Sequence, residues 1–219
     1  MQLRVQQIIE FYDVRQADRA RHISGITGFI GESLGTSLLI HKLTSDGFTV
    51  ELLPGTPKTG RRRAPRLDCW VAAQKDGDRR IYQVEIKNWS AYSKGGKDLP
   101  LQCTPEVYRA YSRRHWDTIV KGRTVRNERV AKARLKMVVP EGYADWDHRA
   151  LACFWFCLHP QGERIPLFTI PVVGAFPQLE IFSMSAYLRC LTSDVISLNM
   201  SIVEERSDLM RLFLERTPS

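Results

Sequence analysis

Long apolar runs are missing from this chain. The strongest, Ala150–Leu158, falls far short of the ~20 residues that span a bilayer. Met1–Glu10 carries polar residues throughout and has no apolar h-region or small-residue cleavage site, so no secretory leader is expected and a cytoplasmic location is. Cysteine is scarce. Cys69, Cys103, Cys153, Cys157 and Cys190 make an odd count with no C-x-x-C, which argues against a disulfide framework and a zinc knuckle. Cys153 and Cys157, four apart in an apolar run, read as small buried hydrophobes. The five histidines form no HxH or HExxH pattern, which disfavours a histidine metal site or nucleophile. Gly25, Gly28, Gly31 and Gly35 lack a GxGxxG and a Walker lysine, so they suit close helix–sheet approach better than nucleotide cradling. No internal repeat or low-complexity tract is present, and at 43% hydrophobic content the disordered, collagen-like and coiled-coil classes are excluded.

What is abundant is positive charge, and it is unevenly spread. The 219 residues carry 32 Lys or Arg against 24 Asp or Glu, a formal charge of +8. Residues 58–66 hold +5 and residues 102–136 hold +7, while everything else together is −4. The first island supplies Lys58, Arg61, Arg62, Arg63 and Arg66 with no acid, in a Pro/Gly-punctuated loop. The second includes Arg113, Arg114, Lys121, Arg123 and Arg126. Such islands suit a polyanion, because neutralised phosphates release their counterions. A solvated basic face with no ligand is the plainer alternative.

The apolar spacing predicts a mixed α/β protein, a central sheet flanked by helices, as one domain over residues 1–219. A first helix is expected over 3–20, broken by Ser24-Gly-Ile-Thr-Gly28. A second runs from Phe29 to Leu43 and stops at Ser45-Asp46-Gly47. Phe48–Leu53 reads as a strand. Leu67–Ala73 and Arg80–Trp89 read as a hairpin around Lys75-Asp76-Gly77-Asp78, since Asp-Gly favours the tightest hairpin turns. Helices are expected over 104–121 and 125–138, a buried strand over Leu151–Leu158 and another over Ile165–Val173. Ser183–Leu191 and Val203–Glu215 read as closing helices.

The hairpin concentrates the chemistry. If the turn is symmetric about Asp76-Gly77, Asp68 lies opposite Glu85. Side chains alternate along a strand, so Glu85 and Lys87 project from one face, and Asp68 joins them at a cross-strand Cβ separation of ~4.5–5.5 Å. Two carboxylates that close repel unless a cation or proton lies between them. Mg²⁺ takes a few hard oxygen ligands and keeps waters, matching the two carboxylates plus the Ile86 carbonyl. Lys87 could then orient the attacking water and stabilise charge developing on a phosphate. Glu32, in Gly31-Glu-Ser-Leu-Gly35, is a candidate outer ligand. A solvated charged strand is the competing reading.

Asp68 and Glu85-Ile86-Lys87, following a helix that bears Glu32, resemble the PD-(D/E)XK, or restriction-endonuclease-like, nuclease superfamily. The order of elements is similar to that family's αβββαβ core over roughly residues 24–160, with an N-terminal helix (1–23) before it and a C-terminal strand and helices (161–219) after it. The resemblance implies Asp68 and Glu85 as metal ligands, Lys87 as catalytic lysine and Glu32 as accessory acid, with Mg²⁺- or Mn²⁺-dependent phosphodiester hydrolysis, usually of DNA. Leu67 stands where the motif's proline would be. No Gln-x-x-x-Tyr follows in the next helix, which sets the chain apart from the RecB-like exonucleases.

Two function classes therefore compete. One is a metal-dependent DNA endonuclease, with RNA as a lesser substrate class. The other is a non-catalytic nucleic-acid-binding subunit of a larger machine on the same fold. The acidic end of the chain and the amphipathic Val203–Glu215 stretch leave a homodimer or a protein partner open. No membrane partner is expected.

Overall fold

A computed structural model describes residues 1–10, 24–55, 68–87, 106, 137–155, 159, 163–171 and 178–200. Its elements are β1 (Gln2–Arg4), α1 (Ser24–Ser45), β2 (Thr49–Pro54), β3 (Cys69–Lys75), β4 (Asp78–Lys87), β5 (Asp147–Phe154), β6 (Leu167–Pro171), β7 (Gln178–Ser183), α2 (Met184–Cys190) and β8 (Val195–Ser197). Six strands form one mixed sheet in the order β2-β3-β4-β5-β7-β6. β2, β3 and β4 run as an antiparallel meander, β5 lies parallel to β4, β7 parallel to β5, and β6 closes antiparallel to β7. A strand flanked by parallel neighbours is buried on both faces, and Ala150–Phe154 is an apolar run with almost no exposure.

Both α1 and α2 lie against one face of the sheet. Leu34, Leu38, Leu39 and Leu43 of α1 and Met184, Tyr187 and Leu188 of α2 join Cys69, Val71, Tyr82, Val84, Ile86, Leu151 and Cys153 in the main core. α1 approaches closely at Gly35, where a Cβ would stand 2.9 Å from Ile86 Cγ2. It ends as the Ser-Asp-Gly signal implies: Gly47 has φ 90°, the Phe48 N–H donates to the Leu43 carbonyl at 3.0 Å, and the Gly47 N–H to that of Thr44 at 2.9 Å. This is a Schellman stop. On the opposite sheet face Trp70, Ala72 and Ile81 pack with Leu53, Val138, Tyr143 and Trp146.

The structure departs from the sequence reading in four places. Residues 2–4 are a strand rather than the start of a helix, paired antiparallel with Val195–Ser197, while residues 5–10 are helical. The Ser24–Gly28 stretch does not interrupt the helix but begins it. Residues 137 and 138 lie outside any helix. β7 and β8 had no counterpart in the sequence reading. The predicted helices over 104–121 and 203–215 and the basic loop at 58–66 fall outside the described residues, except that Glu106 is helical. No described helix is long and apolar enough to cross a membrane.

Candidate functional site

The β3–β4 hairpin turns through two residues. Asp76 (φ 48°) and Gly77 (φ 86°) both occupy the left-handed region, and Lys75 pairs with Asp78. Such a turn matches the twist of the strands it joins and locks their register. The pairing runs through to Cys69 opposite Val84. The pairing ends at that step, and Asp68 lies one residue beyond it; continued by one residue, the register would set Asp68 opposite Glu85.

Asp68 sits just outside β3, where its Oδ2 accepts a hydrogen bond from the Ile86 N–H at 2.6 Å. The N–H and C=O of one extended residue point to the same side of a strand, so the Ile86 carbonyl also faces the Asp68 edge. Glu85 is 4% exposed. By alternation it shares its face with Gln83 and Ile81, away from α1, whereas Val84 and Ile86 face the helix. Lys87 is the last residue of β4 and lies beside Phe154 in register.

Glu32 is exposed on α1, one turn before Thr36, whose hydroxyl donates to the Glu32 carbonyl at 2.9 Å. Cys69, on the α1 face of the sheet, has this part of the helix beside it. Burial above all pushes its thiol up to about 12; a hydrogen bond with the Thr36 side chain opposes this, and the negative charges of Asp68 and Glu32 add to it. Asp68 and Glu32 thus act on one shared neighbour. Burial likewise raises Cys153, with Cys69 and Asp68 contributing.

Among the described residues no three His, Cys, Asp or Glu side chains converge on a single point. The donor set available to a metal at the hairpin is the Asp68 and Glu85 carboxylates with the Ile86 carbonyl. These are hard oxygen donors of the kind Mg²⁺ and Mn²⁺ take, and they leave positions open for water and phosphate. The residues fit such an ion. Of the predicted phosphate-gripping residues, Lys58, Arg61, Arg62, Arg63, Arg66, Arg113, Arg114, Lys121, Arg123 and Arg126 all lie outside the described residues.

Three features had no sequence counterpart. The Trp70 Nε1–H donates to the Val138 carbonyl at 3.0 Å, and the Val138 N–H donates to Gln83 Oε1 at 3.0 Å. On the helix face Arg149 bonds the buried Glu180 at 2.6 Å and Asp147 at 2.7 Å. His41 Nδ1 lies 2.6 Å from the Tyr187 hydroxyl. Apart from the Arg149–Asp147 pair within β5, each joins residues far apart in sequence, so no local pattern announces it.

No protein-family model, curated protein or solved structure matches the chain.

Proposed function

We propose that the chain is a metal-dependent DNA endonuclease of the PD-(D/E)XK kind, with the restriction-endonuclease-like core as its framework. The observation that carries this reading is the hydrogen bond from the Ile86 N–H to Asp68 Oδ2 at the end of the hairpin register, which, continued by one residue, would set Asp68 opposite Glu85. The sequence of elements supports it too: a helix, three antiparallel strands, then a strand parallel to the third.

Asp68, Glu85 and the Ile86 carbonyl would hold Mg²⁺ or Mn²⁺. When bound, such an ion acidifies water and neutralises charge on the phosphate. Glu32, on α1, would serve as an outer acid that accepts a hydrogen bond from water near the ion. Lys87 orients the attacking water and stabilises negative charge on the non-bridging oxygens. The basic residues at 58–66 and 102–136 hold the phosphate backbone, which positions the scissile bond without reading its sequence.

The test is cleavage of plasmid and oligonucleotide DNA, with RNA alongside, in Mg²⁺ and in Mn²⁺. Wild type is expected to cut DNA, and Asp68→Ala and Lys87→Ala to lose about a hundredfold or more in rate. Equal cutting by wild type and both variants would remove the site assignment. Salt-dependent DNA binding with no cleavage in any divalent ion would instead support the non-catalytic binding subunit.

A further inference from the structure

Two consecutive residues of α1 bear on the strand residues that follow the two carboxylates. Gly35 approaches Ile86, the residue after Glu85, so closely that a Cβ there would stand 2.9 Å from Ile86 Cγ2. Thr36 shares a hydrogen bond with Cys69, the residue after Asp68, which is buried on the α1 face of the sheet. The Thr36 hydroxyl also donates to the Glu32 carbonyl, one turn back along the helix, at 2.9 Å. A single side chain thus joins the Glu32 turn to the neighbour of Asp68.

The course of α1 gives that link a direction. At residue 35 the helix lies beside Ile86, near the Asp68 end of the hairpin, and just past its last residue a Cβ on Gly47 would stand 3.1 Å from Lys75 Nζ, at the turn end. Going back along the helix from Thr36 therefore follows β3 from Cys69 toward Asp68. Glu32 is one helical turn that way, ~5.4 Å, and Asp68 one strand residue, ~3.3 Å. Threonine is a poorer helix former than alanine or leucine, and a hydroxyl bonded back to the carbonyl four residues earlier tends to bend a helix. Helix formation therefore does not account for it. What the hydroxyl supplies is a seat for the Glu32 turn.

We infer that Thr36 is a positioning residue, whose hydroxyl holds the Glu32 turn of α1 at a set distance from Asp68, so that the Glu32 carboxylate reaches water near an ion held by Asp68 and Glu85. The role rests on the nuclease reading, and on its metal site in particular. Partners that orient the groups around a bound metal typically contribute roughly 10–100-fold to its affinity. Without the hydroxyl the fold stands, and Glu32 loses its register with the ion.

The experiment measures Mn²⁺ binding by calorimetry and the Mn²⁺ concentration that half-saturates single-turnover DNA cleavage. The proteins are wild type, Thr36→Val, Thr36→Ser, Glu32→Gln, the Thr36→Val/Glu32→Gln double variant and Asp68→Asn, with Tm for each. Thr36→Val keeps the branched shape and removes only the hydroxyl, whereas Thr36→Ser keeps the hydroxyl. Thr36→Val is expected to bind Mn²⁺ about tenfold more weakly at an unreduced Tm, with the half-saturating concentration rising in parallel, and Thr36→Ser to stay within about twofold of wild type. Glu32→Gln should lose at least as much, and adding Thr36→Val to it should cost no more, because the hydroxyl acts through Glu32. Wild-type affinity in Thr36→Val or Glu32→Gln, losses that multiply in the double variant, no recovery in Thr36→Ser, or losses that follow a fall in Tm would overturn the positioning role while leaving the Asp68–Glu85 site intact. If wild type binds Mn²⁺ no better than Asp68→Asn, the metal site and the nuclease reading fail, and the role falls with them.

Discussion

Gly35→Ala tests how tightly α1 is seated behind the candidate metal ligands. The new Cβ would lie 2.9 Å from Ile86 Cγ2 and 3.3 Å from Met184 Sδ, whereas carbon atoms in comfortable contact stand ~3.5–4.0 Å apart. Met184 can yield, being unbranched and flexible. Ile86 cannot easily do so: it is β-branched and 5% exposed, on a central strand held by β3 and β5. Overpacking of this kind costs ~1–3 kcal/mol, and replacing glycine with alanine inside a helix returns ~0.8–1 kcal/mol. The net expectation is a destabilisation of ~1 kcal/mol, which in a chain of this size lowers Tm by about 2–4 °C. Thermal and urea unfolding would measure it. In an Ile86→Ala background, itself costing ~2–5 kcal/mol, the obstructing methyl is gone and Gly35→Ala should turn stabilising by ~1 kcal/mol. A Tm that rises for Gly35→Ala in the wild-type background would refute the close approach.

At the hairpin turn, Gly77 has φ 86° and an added Cβ there would meet nothing within 4 Å, so Gly77→Ala should lose ~1–2 kcal/mol from backbone conformation alone, read by urea unfolding, whereas Asp76→Asn should leave stability near wild type. Tyr82 predicts alkaline behaviour: burial, then the Glu180 charge, raise its pKa above the ordinary 10.0. Its folded-state pKa is the higher one, so its contribution is complete below about pH 10 and is lost as pH rises above that value toward the folded pKa. Tyr82→Phe should flatten the fall in stability above about pH 10, followed by Tm and phenolate absorbance; an unchanged slope would contradict the assignment.

The register of the candidate site was legible because one dipeptide sets it. Asp76-Gly77 can adopt the doubly left-handed turn, and from that turn the opposition of Asp68 and Glu85 follows by counting. The α1 stop was legible for a similar local reason, Gly47. What local pattern could not show was tertiary. The glycine-rich start of α1 reads as a helix breaker, yet the helix runs through it, with Gly35 further along needed for contact with Ile86. β7 was missed because Glu180 interrupts its apolar run, and Glu180 is matched by Arg149 on the neighbouring strand, 31 residues away. β1 has three residues, too few to display a period, and is defined by its partner near the other end of the described chain. The Gln83–Val138 bond joins residues 55 apart, one of them in irregular backbone.

The central claim is that Asp68 and Glu85 hold a divalent ion. Calorimetric titration of Mn²⁺ into wild type, Asp68→Asn and Glu85→Gln tests it without needing a substrate, since each variant keeps the side-chain shape and removes one charge. The account predicts saturable binding to wild type near neutral pH and a loss of affinity of about tenfold or more in each variant. Equal binding by all three proteins, or none by wild type, would contradict it.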